Sequence, residues 1–133
     1  MDRIVALRGV LSFFVAFAAG VTAAQAGAPT PVSVSLENYA YEPENLVLKA
    51  GETYRLHFIN SSNKDHDFNA PKFFGDSTVS PDDRAKIVNG GVEVKAGRAV
   101  DVSMTVSHPG EYPVTCTHFM HADMGMEGSV TVK

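Results

Sequence analysis

Residues 92–106 read VEVKAGRAVDVSMTV. Val92 and Val94 are two apart, Ala96-Gly97 interrupts the run, and Val100, Val102, Met104 and Val106 then alternate strictly with polar neighbours. A period of two sends successive side chains to opposite faces, so the stretch predicts two strands joined by a Gly-bearing turn, each strand with one apolar face. Moving outward, VSVSLENY at residues 32–39 alternates Val32, Val34 and Leu36 against polar residues. In NLVLKAGETYRLHFIN at residues 45–60, a short strand meets a turn at Ala50-Gly51-Glu52 before Tyr54, Leu56 and Phe58 share a face. GEYPVTC and GSVTV, after residues 109 and 127, supply the last two strands. Seven or so short strands with Gly-bearing turns predict an all-β protein, an antiparallel sandwich or barrel with Greek-key connections.

One helix is expected, in the long connection between Phe68 and Val92. In SPDDRAKIV at residues 80–88, Ser80 is placed to cap, Pro81 suits the first helical position, and Asp82 and Asp83 favour the positive end of the helix dipole. Asn89-Gly90-Gly91 is the stop signal.

The N-terminus follows other rules. MDRIVALR carries two arginines, GVLSFFVAFAAGV is a short apolar run, and AQA at residues 24–26 has the small-x-small pattern of a signal-peptidase site. The apolar run is shorter than the ~20 residues a spanning helix needs. Residues 1–26 are therefore read as a cleaved export signal and residues 27–133 as one mature domain, destined for the periplasm with no stable membrane insertion.

Without Asp2, Arg3 and Arg8, the 11 basic and 15 acidic side chains of the whole chain fall to 9 and 14, a formal charge of −5. Nucleic acid and anionic membrane surfaces are poor partners for such a domain. Its size suffices to bury a core without covalent staples. The single cysteine cannot form an internal disulfide, so a thiol kept in an oxidising compartment needs deep burial, an intermolecular partner or a metal.

Cys116 opens the segment CTHFMHADMGMEG, residues 116–128, which holds two of the five histidines and three of the five methionines. Packing alone is one reading, because methionine fills gaps and free cysteine is commonly buried. Strand parity places Tyr112, Val114 and Cys116 on one side and Glu111, Pro113 and Thr115 on the other, so the thiol faces inward at a strand end. His121, Met124 and Met126 then lie in the loop before the last strand and can fold back toward the sulfur. A thiolate, two imidazoles and a weak thioether form the ligand set of a mononuclear copper site. Cys116, His121 and Met126 are the loop's candidates, with Met124 the rival thioether. The second imidazole must come from elsewhere, and His66 in NKDHDF is the best placed, just past the apolar strand ending at Ile59-Asn60 and at the start of an irregular segment.

With Cys116-x4-His121-x4-Met126-x-Gly128, the preceding PGEY and the upstream His66-x-Phe68, the chain resembles the cupredoxins, small blue copper proteins, over essentially its whole mature length. The x4, x4 spacing is similar to the phytocyanin and rusticyanin type of ligand loop. The plastocyanin pattern would want His at position 119 and the azurin pattern Met at position 125. The resemblance implies one copper ion cycling between Cu(II) and Cu(I), a redox partner protein, monomeric action and no enzymatic activity. It also implies a tie between Asp67, after the first histidine, and Thr117, after the cysteine. Asp67 stands where the family often carries Asn, and its charge should lower the reduction potential. His118 is also atypical, and so is Met120, where Gly is common.

His57 shares the outward parity of Arg55 and reads as a surface residue; His108 belongs to an HPG turn. His118 and Met120 divide evenly between loop packing and a second, weaker metal contact. An electron carrier is the leading reading, with Met120, Ala122 and Met124 as an apolar docking patch beside His121. A copper nitrite reductase or multicopper oxidase would need further copper ligands, and a binuclear centre a second bridging cysteine. The alternative is an extracytoplasmic copper-handling protein, which the exposed imidazole and thioethers of His118, Met120 and Met124 would suit.

Overall fold

The computed structural model describes residue 20 and residues 27–133. The export signal read over residues 1–26 lies outside the described residues, Gly20 excepted. Among the described residues, eleven strands run in chain order as β1 (Thr30–Glu37), β2 (Ala40–Glu42), β3 (Asn45–Leu48), β4 (Thr53–Asn60), β5 (His66–Asn69), β6 (Ser77–Val79), β7 (Ile87–Val88), β8 (Gly91–Val94), β9 (Ala99–Val106), β10 (Gly110–Thr115) and β11 (Glu127–Val132). A short helix, α1 (Pro71–Gly75), and a 3-10 segment (Pro81–Lys86) lie in the connection between β5 and β8.

Two sheets form the sandwich. One has the order β2-β1-β4-β9-β6 and the other β3-β11-β10-β5-β8-β7. The alternation read from the sequence is what joins them. Val34, Leu36, Leu56, Phe58, Val102, Met104 and Val106 project from the first sheet and are buried. Leu46, Leu48, Phe68, Val92, Val94, Val114, Val130 and Val132 meet them from the second. Both faces are apolar at every second residue, so packing them together removes nearly all of that surface from water.

The structure departs from the all-antiparallel expectation. β1 pairs with β4 in parallel, Val34 opposite Phe58, and β11 pairs with β3 in parallel, Val130 opposite Leu46. The connection explains the first case. The chain leaves β1, adds β2 to its edge and crosses to the other sheet as β3 before returning as β4. A strand that returns by such a crossover runs parallel, whereas an antiparallel neighbour needs only a hairpin.

The expected helix over residues 80–88 is a 3-10 segment that ends at Lys86, and Ile87-Val88 instead pair with β8. Ser80 makes no side-chain cap. Asp83 is occupied with tertiary partners, accepting from the Ser103 backbone N–H at 2.8 Å and from Lys86 Nζ at 2.6 Å. The Ser103 contact ties the segment to β9. His66, expected at the start of an irregular segment, is instead the first residue of β5, paired with Val94 and fully buried. Gly128 marks a close approach: a Cβ there would meet the Glu44 carbonyl oxygen at 2.5 Å, so the end of β11 admits no side chain at that point.

Candidate metal centre

Three elements meet at one end of the sandwich. Cys116 follows β10 with its side chain buried beside those of Tyr112 and Val114, as strand parity requires. The loop from β10 to β11 folds into consecutive turns. His121 N–H donates to His118 O at 3.1 Å, Met124 N–H to Met120 O at 3.1 Å and Gly125 N–H to Ala122 O at 2.9 Å. It closes where Cys116 N–H donates to Met126 O at 3.2 Å and Met126 N–H to His121 O at 3.0 Å. These bonds bring the ends of the loop together and turn His121 back over the sulfur.

Cys116 Sγ lies 3.5 Å from His121 Nδ1 and 4.0 Å from His66 Nδ1, and the two Nδ1 atoms are 3.1 Å apart. A triangle with these sides has its centre about 2.1 Å from each corner, close to the roughly 2.0 to 2.3 Å at which imidazole nitrogen and thiolate sulfur bind a transition-metal ion. His66, Cys116 and His121 are the one such cluster of His, Cys or carboxylate groups among the described residues. Met126 is fully buried, and its backbone bonds to both Cys116 and His121. Met124 is 55% exposed, so of the two rival thioethers Met126 is the one carried inward. A soft thiolate with two imidazoles and a thioether suits copper better than it suits the hard, oxygen-seeking cations.

The orientation of His66 is fixed from behind. Its Nε2–H donates to Asn38 Oδ1 at 2.8 Å, while the Asn38 amide donates to Asn63 Oδ1 at 2.9 Å. With the proton on Nε2, the Nδ1 lone pair faces the sulfur, as a ligand nitrogen must. Tyr39 packs edge-on against both histidines, its ring centroid 6.1 Å from His66 and 4.9 Å from His121. The expected tie between Asp67 and Thr117 is present: the Thr117 N–H donates to Asp67 Oδ1 at 2.7 Å and its hydroxyl to Oδ2. Tyr41 OH holds the Asp67 carbonyl at 2.7 Å from below.

Burial governs the protonation of the cluster. It pushes the Cys116 thiol up to about 11, against the opposing pull of the backbone N–H groups of Asp67 and His118. It also holds His66 and His121 below the ordinary imidazole value, with the neighbouring histidines adding to the effect. Near neutrality the cluster is therefore a thiol and two neutral imidazoles, and a metal entering it must displace the thiol proton.

The remaining sulfur and imidazole groups separate cleanly. His118 is engaged by Glu93, Met120 is 52% exposed with φ +61°, and Phe119 is 89% exposed. His57 pairs with Asp101 at 2.7 Å on the outer face of β4 and β9. His108 Nδ1 binds Asp76 O at 2.9 Å, anchoring the turn before β10 to the end of α1. Asn38, Tyr39 and Glu93 were not foreseen from the sequence. Asn38 and Glu93 stand 28 and 25 positions from the histidines they hold, and Tyr39 stands farther still from His121, so no local pattern marks such partners.

A family model described as the cupredoxin-like domain matches residues 9–132. No curated protein shows a significant match to the chain. Among solved structures, an auracyanin from the photosynthetic bacterium Roseiflexus castenholzii aligns at 23% identity and a TM-score of 0.59, over 80% of this chain and 99% of that one. Auracyanin A from Chloroflexus aurantiacus aligns at 20% and 0.56, over 80% and 100%. A multicopper oxidase from Campylobacter jejuni aligns at 15% and 0.61, over 98% of this chain but only 34% of the enzyme. Likeness at these identities is likeness of fold.

Proposed function

Since this chain belongs to the cupredoxin-like domain family, we propose that it is an extracytoplasmic one-electron carrier whose single copper ion is held by His66, Cys116, His121 and Met126. The observation that carries this reading is the convergence of one sulfur and two ring nitrogens within 4.0 Å of one another at the end of the sandwich. Auracyanin A is described as a blue copper protein, and the same chemistry is the reading here. A copper ion so held takes up and releases one electron between Cu(II) and Cu(I).

The protein's part is to hold the ligands still and keep water out. Asn38 fixes the tautomer of His66. Asp67 pins the residue after Cys116, and Met126 closes the inner side as a thioether rather than a water. A site whose ligands are already in place changes little between oxidation states, which is what rapid electron exchange requires. His121 is only half-buried, and Phe119, Met120 and Met124 stand exposed beside it. Those side chains form an apolar surface at which a redox partner docks briefly, and the acidic balance of the domain steers a positively charged partner toward it.

Residues 1–26 act in this proposal as a cleaved export signal that delivers residues 27–133 to the periplasm, where the domain works as a monomer. N-terminal sequencing of the protein recovered from that compartment tests the cleavage point. For the site, purified protein is loaded with copper and its absorption and paramagnetic resonance spectra recorded. One copper per chain with an intense blue or green thiolate-to-copper band is the expected result. Cys116→Ser should abolish that band while the sandwich stays folded, because the core is built by the strands. A colourless copper-loaded protein would end the reading.

Copper handling is the second reading, favoured by the exposure of Met120 and Met124 beside the site. Thioethers at the surface suit transfer of Cu(I). A carrier retains copper against a competing chelator in both oxidation states, whereas a copper donor surrenders it in the reduced state.

A further inference from the structure

Asp67 on β5 and Glu93 on β8 occupy directly paired positions of neighbouring strands, and they catch two consecutive residues of the ligand loop. Asp67 holds Thr117. Glu93 takes His118, whose Nε2 lies 3.1 Å from Oε1 and 3.0 Å from Oε2. Glu93 is itself braced: Lys95 Nζ reaches it at 3.3 Å and reaches Asp65 at 3.0 Å, and Asp65 accepts the Ala96 N–H at 2.8 Å. At the other end of this chain of contacts, the His118 ring is stacked on the His121 ring, with centroids 5.5 Å apart and planes 25° from parallel.

The two histidines of the centre are thus supported in different ways. His66 sits in a strand and has Asn38 behind its ring. His121 sits in a succession of turns, and among the described residues its ring hydrogen-bonds only toward the cluster itself, through Nδ1. We propose that His118 is a positioning residue for His121 beside the edge-on ring of Tyr39: anchored by Glu93, it supplies the flat surface that sets the angle of the His121 ring, as Asn38 does for His66. The inference rests on the metal-centre reading for its consequence, but the contact exists without a metal.

The test therefore has a metal-free arm and a copper-loaded arm, both on the full protein, with His118→Ala, Glu93→Ala and Glu93→Gln. In the metal-free protein, carbon relaxation of the His121 ring is measured by NMR. A ring that is ordered in the native protein, loosened in the two alanine variants and restored in Glu93→Gln, which keeps an acceptor oxygen, is the expected pattern. In the loaded arm, copper affinity measured by chelator competition should fall about tenfold to a hundredfold in both alanine variants, the usual effect of losing an outer partner of a ligating histidine. Glu93→Gln should recover most of that loss.

A His121 ring equally ordered in the native protein and both alanine variants would overturn the proposal, as would an unchanged affinity. If His118→Ala unfolds, as judged by circular dichroism, Glu93→Ala and its glutamine counterpart decide the matter alone. If native protein takes up no copper, it is the functional reading that falls, and the relaxation data still decide the role of His118.

Discussion

Of the two methionines that could supply the thioether ligand, burial separates what spacing could only rank. Met126 is fully enclosed and bonded through its backbone to Cys116 and His121, while Met124 points outward. Met126→Leu should therefore keep the thiolate-to-copper band and raise the reduction potential, since removing a donor costs Cu(II) more than Cu(I) and makes the site drier. Met124→Leu should leave both properties as they are. Leucine is close in volume to methionine, so packing costs stay below ~1.5 kcal/mol and do not obscure the result. Spectroelectrochemistry of the two variants reads the outcome, and a shift in the Met124 variant alone would move the assignment to it. Met120 makes a separate prediction. Its φ of +61° lies in the left-handed region, where a side chain costs roughly 1 kcal/mol and glycine costs nothing. Relief of that strain is partly cancelled by the added chain entropy of glycine in the unfolded state, so Met120→Gly should raise the unfolding free energy of the metal-free protein by about 0.5 kcal/mol at most. A denaturant titration that shows a loss instead would mean that the exposed Met120 side chain stabilises the loop by contacts.

At the scale of elements, the centre is a junction between β5, which delivers His66 and Asp67, and the loop joining β10 to β11. Asp67 makes the joint, accepting two hydrogen bonds from Thr117. Asparagine can reproduce that geometry, its oxygen accepting the Thr117 N–H and its amide donating to the Thr117 oxygen. Asp67→Asn should therefore preserve the spectrum while raising the potential, because it withdraws a negative charge that favours the oxidised ion. If the spectrum collapses as well, Asp67 is needed as a structural joint that an amide cannot replace. Here the limits of reading the sequence are visible. Strand parity put Cys116, Tyr112 and Val114 on the inner side because a period of two is a local property of the chain. The Cys-to-Met spacing was legible for the same reason, being confined to one loop. What could not be read were the parallel pairs β1–β4 and β3–β11, the short helix α1, and the true shape of residues 80–88. Those depend on crossovers and on tertiary partners such as the Ser103 backbone N–H for Asp83. The supports of the centre, Asn38 behind His66 and Glu93 behind His118, lie far away in sequence and carry no pattern of their own.

Taken as a whole molecule, the protein keeps a proton-sensitive cluster at one end of a sandwich whose described interior is mainly apolar. In the metal-free state His66 and His121 are held below the ordinary imidazole value by burial. The unfolded chain therefore binds more protons than the folded one as the pH drops past about 6.5, and stability must fall in that direction. The stabilising share of these groups is complete above about 6.5 and is lost as the pH descends through their folded values. Asp65, Asp76 and Asp83, lowered by hydrogen bonds and by lysine partners, add a second loss below about pH 4. Copper changes the balance. It needs the thiolate, and burial has pushed the Cys116 thiol up to about 11, so each ion bound near neutrality releases one proton. Apparent copper affinity should then rise about tenfold per pH unit from pH 7 until the thiol ionises, and should steepen below the imidazole values, where further protons must leave. Because ligand bound only to the folded state stabilises it by mass action, a thousandfold excess of copper over its dissociation constant is worth about 4 kcal/mol. Thermal unfolding of metal-free and copper-loaded protein across pH 5 to 9 should show the gap between the two curves widening as the pH rises at fixed free copper. A gap that does not change with pH would mean that the sulfur enters the site already ionised, and that the backbone N–H groups of Asp67 and His118 outweigh burial in setting its charge.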